Sequence, residues 1–187
     1  MSNLSVQALS DEALVAQAQK QDEACMAALY ERYYDRIYRY ALSRLGNRTD
    51  AEDLTQETFL KMVDKLHMFR WQGIPFAAWL FRIANNAVID LVRRRARRHE
   101  EELLDTLAAP SAERVEEQVE VSLTWEEVIH AMDRLTVNQQ EVLTMRFGAE
   151  LSVSETAKAL GKAEGTVKAT QLQALQALRR LLAHAEI

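Results

Sequence analysis

Apolar residues recur along this chain at intervals of three and four, the spacing that places side chains on one face of an α-helix. Cys25, Leu29, Tyr33, Ile37 and the pair Tyr40-Ala41 form one such stripe, with Arg32, Arg36 and Arg39 on the remaining surface. Ala51, Leu54, Thr58, Met62 and Leu66 form a second, and Leu14 and Ala18 after an N-capping Ser10 form a shorter one. The spacing predicts a long helix from Phe76 to Arg98. In it Trp79, Ile83, Val88 and Ile89 bury one side, while Arg82, Asn86, Asp90 and Arg93 fall on another. Nearer the C-terminus, Val142, Leu143 and Phe147 share one helix, Ser152 opens a short one to Leu160, and Gly165 begins a last one to about Ala183.

The punctuation agrees with this reading. Gly46-Asn47 suits the left-handed end of a helix. Thr49 with Glu52, Thr136 with Gln139, and Ser152 with Glu155 each have the three-residue spacing of a capping box. Gly73-Ile74-Pro75 marks a loop, Gly148 and Gly161 end helices, and Ala109-Pro110-Ser111 breaks a connector. Beyond that break Val115, Val119, Leu123, Val128, Met132 and Leu135 predict helix again. Five glycines and two prolines in 187 residues leave too few turn residues for many short strands. The expected fold class is all-α.

Composition changes the picture through charge. Apolar residues at 48% and charged residues at 27% suit a folded chain, and the net charge of −5 argues against unaided binding of nucleic acid. That average hides a segregation: residues 1–99 are net +3, residues 100–127 net −9 and residues 128–187 net +1. Two small helical domains, 10–99 and 123–187, joined by an acidic linker at 100–122, account for it.

The single cysteine, Cys25, excludes an internal disulfide and a cysteine-based zinc site, and reads as a small buried apolar residue. Met1 to Gln21 lacks the charged lead and apolar core of a signal peptide, and no run approaches ~18 apolar residues. A cytoplasmic protein without membrane insertion is expected.

Three segments carry candidate chemistry. Ala157, Gly161 and Val167 have the spacing of a helix-turn-helix. The small residue lets two helices cross closely, glycine takes positive φ in the turn, and valine fills the gap. The second of those helices presents Thr166, Lys168, Thr170, Gln171 and Gln173 in its N-terminal half, where such helices meet base edges. The long helix Phe76 to Arg98 follows a loop with Phe69, Trp71 and Phe76. Exposed aromatics beside a basic helix are equipped to hold unstacked bases, and core aromatics with a solvated basic face are the alternative these residues leave open. In the run from Asp50 to Phe59, Asp53, Gln56 and Glu57 project together opposite the apolar stripe. No metal is expected there, since the acids have no paired histidine. Asp64 and His67 are spaced as one metal-binding pair, but a carboxylate-bridged site needs further carboxylates and a second such pair. No enzyme activity and no cofactor is expected.

In this order the segments resemble the extracytoplasmic-function (ECF, group IV) sigma factors of bacterial RNA polymerase. The resemblance rests on D-A-E-D-L-T-Q-E-T-F at 50–59, F-A-A-W-L-F-R-I-A-N-N-A-V-I-D at 76–90, L-T-V-N-Q-Q-E-V-L-T-M-R-F at 135–147 and L-S-V-S-E-T-A-K-A-L-G-K-A-E-G-T-V-K at 151–168. It spans about Leu29 to Leu182 and implies a promoter-specificity subunit that binds core RNA polymerase, recognises promoter DNA and melts it. Asp53, Gln56 and Glu57 are then the docking face for the β′ clamp helices, and the C-terminal domain meets the β flap. Arg82, Asn86 and Arg93 contact the −10 element, and the loop from about His67 to Pro75 captures a flipped base with Trp71 as the stacking ring. Lys168 and its neighbours read the −35 element. The acidic linker suits core channels built to hold nucleic acid, and a separate anti-sigma factor is a further partner of the family.

The chain departs from the family's pattern in its recognition helix. Where members commonly carry arginines after T-V-K, it has Ala169-Thr170-Gln171-Leu172-Gln173-Ala174, and Ala163 stands where serine often caps the helix. Fewer cations mean fewer phosphate contacts, while Gln171 and Gln173 retain the means to read adenine. A sigma-like decoy that sequesters an anti-sigma factor is the alternative this leaves. Decoys of that kind usually carry a receiver domain, and no such block fits in this chain.

Overall fold

The computed structural model describes residues 6–105, 128 and 131–183. The linker expected at 100–122 falls outside them except for its first residues, as do the helical signals from Val115 to Leu123.

Every element among the described residues is helical. Helices α1 (Asp11–Ala18), α2 (Glu23–Leu45), α3 (Arg48–Leu66) and α4 (Phe76–Asp105) make the N-terminal module. Helix α5 (Val137–Leu143) runs into a π-helical turn (Thr144–Gly148), followed by α6 (Val153–Leu160) and α7 (Glu164–Ala183). The predicted stripes on α2 and α3 are buried throughout. Gly46 closes α2 at φ 73°. Helix α4 continues seven residues beyond the expected stop at Arg98, to Asp105.

Two local expectations are corrected. Thr49 lies inside α3; the cap is Asn47, whose side chain accepts from the Asp50 N–H at 2.8 Å. The helix expected to run through Phe147 changes register at Thr144. Its hydroxyl donates to the Gln140 carbonyl at 2.7 Å, competing with the ladder, and the Ala149 N–H reaches back to the Thr144 carbonyl at 2.8 Å. The shift sends successive side chains to different neighbours: Val142 and Leu143 pack among α5, α6 and α7, while Met145 joins the core of the N-terminal module.

That last contact belongs to a seam between the modules. Met145, Ala149, Leu151 and Ala159 are buried in one continuous core with Leu29, Ile37, Phe76 and Phe81. The three arginines of α2 read as plain surface are all engaged. Arg32 pairs with Asp11 at 2.7 Å, Arg36 donates twice to the Ala149 carbonyl at 3.0 and 2.8 Å, and Arg39 pairs with Glu150 at 3.1 Å. Arg36 also lies over the rings of Tyr33 and Phe81. Glu150 holds positive φ (55°), a conformation that costs a non-glycine residue ~1 kcal/mol, so Arg36 and Arg39 grip a strained turn. Beneath the seam, Tyr40 is fully buried and donates to Asn85 at 2.7 Å; burial pushes its phenol pKa up.

Candidate nucleic-acid interface

Helix α3 holds its stripe inward, which turns Asp53 and Gln56 out to solvent with Glu57 half-buried beside them. Glu57 pairs with Lys61 one turn on, at 2.5 Å. The expected docking face therefore exists as a surface, and it continues where the sequence reading did not follow it. Leu60 (68% exposed) and Val63 (51%) extend the row at helical spacing. Their signal in the sequence was an apolar residue on an otherwise polar helix face.

Between α3 and α4 lies an open groove of about 330 Å³, lined by Glu57, Lys61, Asp90, Arg93, Arg94 and Arg97. It puts Arg93, an expected DNA contact, across from Glu57, an expected polymerase contact. Asp50, in the first turn of α3, is tied to Arg95 of α4. That hydrogen bond, aided by Asn47 and opposed by burial, lowers the Asp50 carboxyl below its ordinary 3.8.

On α4, Asn86 and Arg93 are exposed, but Arg82 is not available as expected. Its Nε donates to the Ala159 carbonyl at 3.3 Å and its Nη2 to that of Lys158, at the C-terminal end of α6. Of the three aromatics expected in the preceding loop, Phe69 and Phe76 are buried and only Trp71 (41% exposed) meets solvent. Trp71 stands edge-on to Phe69 at 5.1 Å. Phe69 in turn touches Phe76 at 5.7 Å and Trp79 at 5.0 Å, a ring cluster that fixes the platform under Trp71.

The helix-turn-helix has the form its spacing implied. Ser152 and Glu155 make a reciprocal capping box, Gly161 turns at φ 65°, and Ala157, Val142 and Val167 pack as one cluster. Thr136 and Gln139 make a second box at α5. Helix α7 exposes Thr166, Lys168 and Gln173, with Thr170 half-buried. Gln171 departs from the expectation: its side-chain oxygen accepts from Arg146 Nε at 3.0 Å, and Arg146 also donates to the Leu151 carbonyl. That glutamine is occupied within the module.

Known proteins match this chain in both modules. Residues 29–98 match Sigma-70 region 2 and residues 131–180 match Sigma-70 region 4. The ECF RNA polymerase sigma factor BldN of Streptomyces coelicolor is 41% identical over 90% of this chain, which spans 64% of that relative's length. The ECF RNA polymerase sigma factor SigL of Mycobacterium tuberculosis is 32% identical over 91% of this chain and 96% of its own. Among solved structures, CnrH in complex with the cytosolic domain of CnrY is similar at a TM-score of 0.71 and 25% identity, over 93% of this chain and 97% of that one. The sigma factor RpoE of Bartonella quintana, in complex with the anti-sigma factor NepR, is similar at 0.68 and 25% identity, over 82% and 94%. With both regions present in order and SigL matched over nearly its full length, the chain belongs to the ECF RNA polymerase sigma factors.

Proposed function

We propose that this chain works as the promoter-specificity subunit of bacterial RNA polymerase, in the cytoplasm and without catalysing a reaction of its own. The α3 face formed by Asp53, Gln56 and Glu57, extended by Leu60 and Val63, docks on the β′ clamp helices, and the C-terminal module meets the β flap. Asn86 and Arg93 contact the −10 element, Trp71 stacks on an unpaired base, and Thr166, Lys168, Thr170 and Gln173 face the −35 element. The observation that supports this best is one exposed ring, Trp71, in the loop that leads into a helix exposing Asn86 and Arg93, the latter lining a basic groove. Exposed aromatics next to cations suit single strands, whereas a duplex reader needs no stacking ring.

Arg82 joins the promoter contacts only when α6 leaves it. Core binding that draws the modules apart releases this side chain and the C-terminal module together. A separate anti-sigma factor is a fitting further partner, since CnrH and RpoE are each held by a second protein in the similar structures.

Run-off transcription with purified bacterial core polymerase tests the proposal. The chain should yield a promoter-specific product, and a chain carrying Asp53→Lys and Gln56→Lys should lose both core binding and product. No promoter-specific product from the unaltered chain would end the initiation reading in favour of a decoy. A fully active double variant would end the docking assignment alone.

A further inference from the structure

We propose that Gln19 is a positioning residue for base capture, fixing the backbone from which Trp71 projects. The inference rests on the reading of Trp71 given above. Gln19 is the half-buried residue that follows α1, and Gln21, at φ 67°, turns the chain away just after it. A side-chain amide nitrogen carries two hydrogens, and here both are spent at one place. Nε2 donates to the Leu66 carbonyl at 2.9 Å and to the Phe69 carbonyl at 2.9 Å.

Those two acceptors bracket the departure of the capture loop. Leu66 is the last residue of α3, and Phe69 is the buried ring on which Trp71 leans. One amide from a helix outside the loop therefore sets the distance between the end of α3 and the base of the ring cluster. Neither carbonyl depends on Gln19 for satisfaction. The Leu66 carbonyl also accepts from the Phe69 N–H at 3.0 Å, and the Phe69 carbonyl from Arg70 Nη1 at 2.9 Å. Losing Gln19 leaves no orphaned acceptor, so the penalty falls on where the loop sits rather than on whether the module folds. Gln19→Met keeps length and volume while removing both donors. Gln19→Glu sets a carboxylate against two carbonyls and should act more strongly.

The test uses holoenzyme, with a fluorescent base analogue placed in turn at each non-template position of the −10 element. Run-off on promoters carrying each of the four bases at the captured position accompanies it. Gln19→Met should cut the fluorescence gain at that position and reduce base preference there by about three- to tenfold, the worth of one hydrogen bond. Core affinity and thermal midpoint should stay as in the unaltered chain. Trp71→Ala runs alongside and should abolish capture. Normal capture by Gln19→Met, with capture lost in Trp71→Ala, overturns the Gln19 assignment and leaves Trp71 standing. Normal capture by Trp71→Ala removes the Trp71 reading and the Gln19 proposal with it. A lowered midpoint with equal loss at every position marks Gln19 as a simple helix cap and overturns positioning.

Discussion

Arg82 ends on the carbonyl of Ala159, 3.3 Å from its Nε, across a gap of 77 residues in the chain. The acceptor lies in the last turn of α6, where unpaired carbonyls carry the negative end of the helix dipole. A cation that the family resemblance assigns to promoter DNA is thus held by the other module, in a place that substitutes for phosphate. On the proposed reading, packing of the two modules and contact of Arg82 with DNA would exclude each other, since one side chain cannot serve both.

Arg36→Ala tests that exclusion without touching a promoter contact. It removes two donors to the Ala149 carbonyl and the cation above Tyr33 and Phe81. Charged hydrogen bonds are worth ~1.5–3 kcal/mol when well sheltered and less when half-exposed, so the seam should weaken by about 1–2 kcal/mol. Spin labels at Leu60 and Leu172, both exposed, should report a broadened distance distribution. The free protein should also bind a single-stranded −10 oligonucleotide several-fold more tightly. An unchanged affinity alongside a broadened distribution would show that Arg82 is not the withheld contact.

Ala163 precedes Glu164, the first residue of α7, and offers no side-chain oxygen to the orphaned N–H groups there. Ala163→Ser should supply one and stabilise the C-terminal module by ~0.5–1 kcal/mol. Urea unfolding followed by circular dichroism would show it as a higher midpoint with an unaltered slope. A lower midpoint would mean that the start of α7 resists the geometry of a cap.

Asp50 gives the fold a pH dependence of known sign. Its carboxyl is lowered in the folded chain, chiefly by the Arg95 hydrogen bond, and returns to its ordinary value of 3.8 on unfolding. The folded state therefore binds this proton less readily. The contribution is complete above the unfolded value and disappears as pH falls through the folded one. Asp50→Asn should be less stable than the parent at pH ~7, and the difference should shrink at pH ~3. Urea titrations at the two values decide it; a gap that persists in acid would trace the loss to something other than ionisation.

Local features were legible in the sequence because their causes are local. Ala157, Gly161 and Val167 announced the helix-turn-helix since a close crossing, a left-handed turn and a filled gap each demand one residue type. The cap of α3 was harder, because Asn47 and Thr49 are both capable and stand two residues apart; only the Asn47 side chain meets the Asp50 N–H. The register change at Thr144 depends on a hydroxyl choosing its own helix as acceptor. Least legible were the roles of Arg36, Arg39 and Arg82. Their acceptors lie 113, 111 and 77 residues away, and no periodicity distinguishes an arginine aimed at another module from one aimed at water.

Gln171 and Gln173 of α7 should behave in opposite ways. Gln171 accepts from Arg146, whose other contact is the Leu151 carbonyl, so it links α7 to the turn before α6. Gln171→Ala should cost about 1 kcal/mol of stability and leave base preference alone. Gln173 is exposed and has no such duty. Gln173→Ala should keep the midpoint and relax discrimination at one position of the −35 element by about fivefold to a hundredfold, the range of a single bidentate contact. Lys168→Ala, by contrast, should weaken binding evenly across sequences and reduce the salt slope of holoenzyme binding by about 0.9, as for one lost phosphate. Holoenzyme titrations against duplexes varied one base pair at a time separate the three. If Gln171→Ala relaxes base preference instead, DNA must displace Arg146 from it, and the π-helical turn that carries Arg146 becomes part of promoter reading.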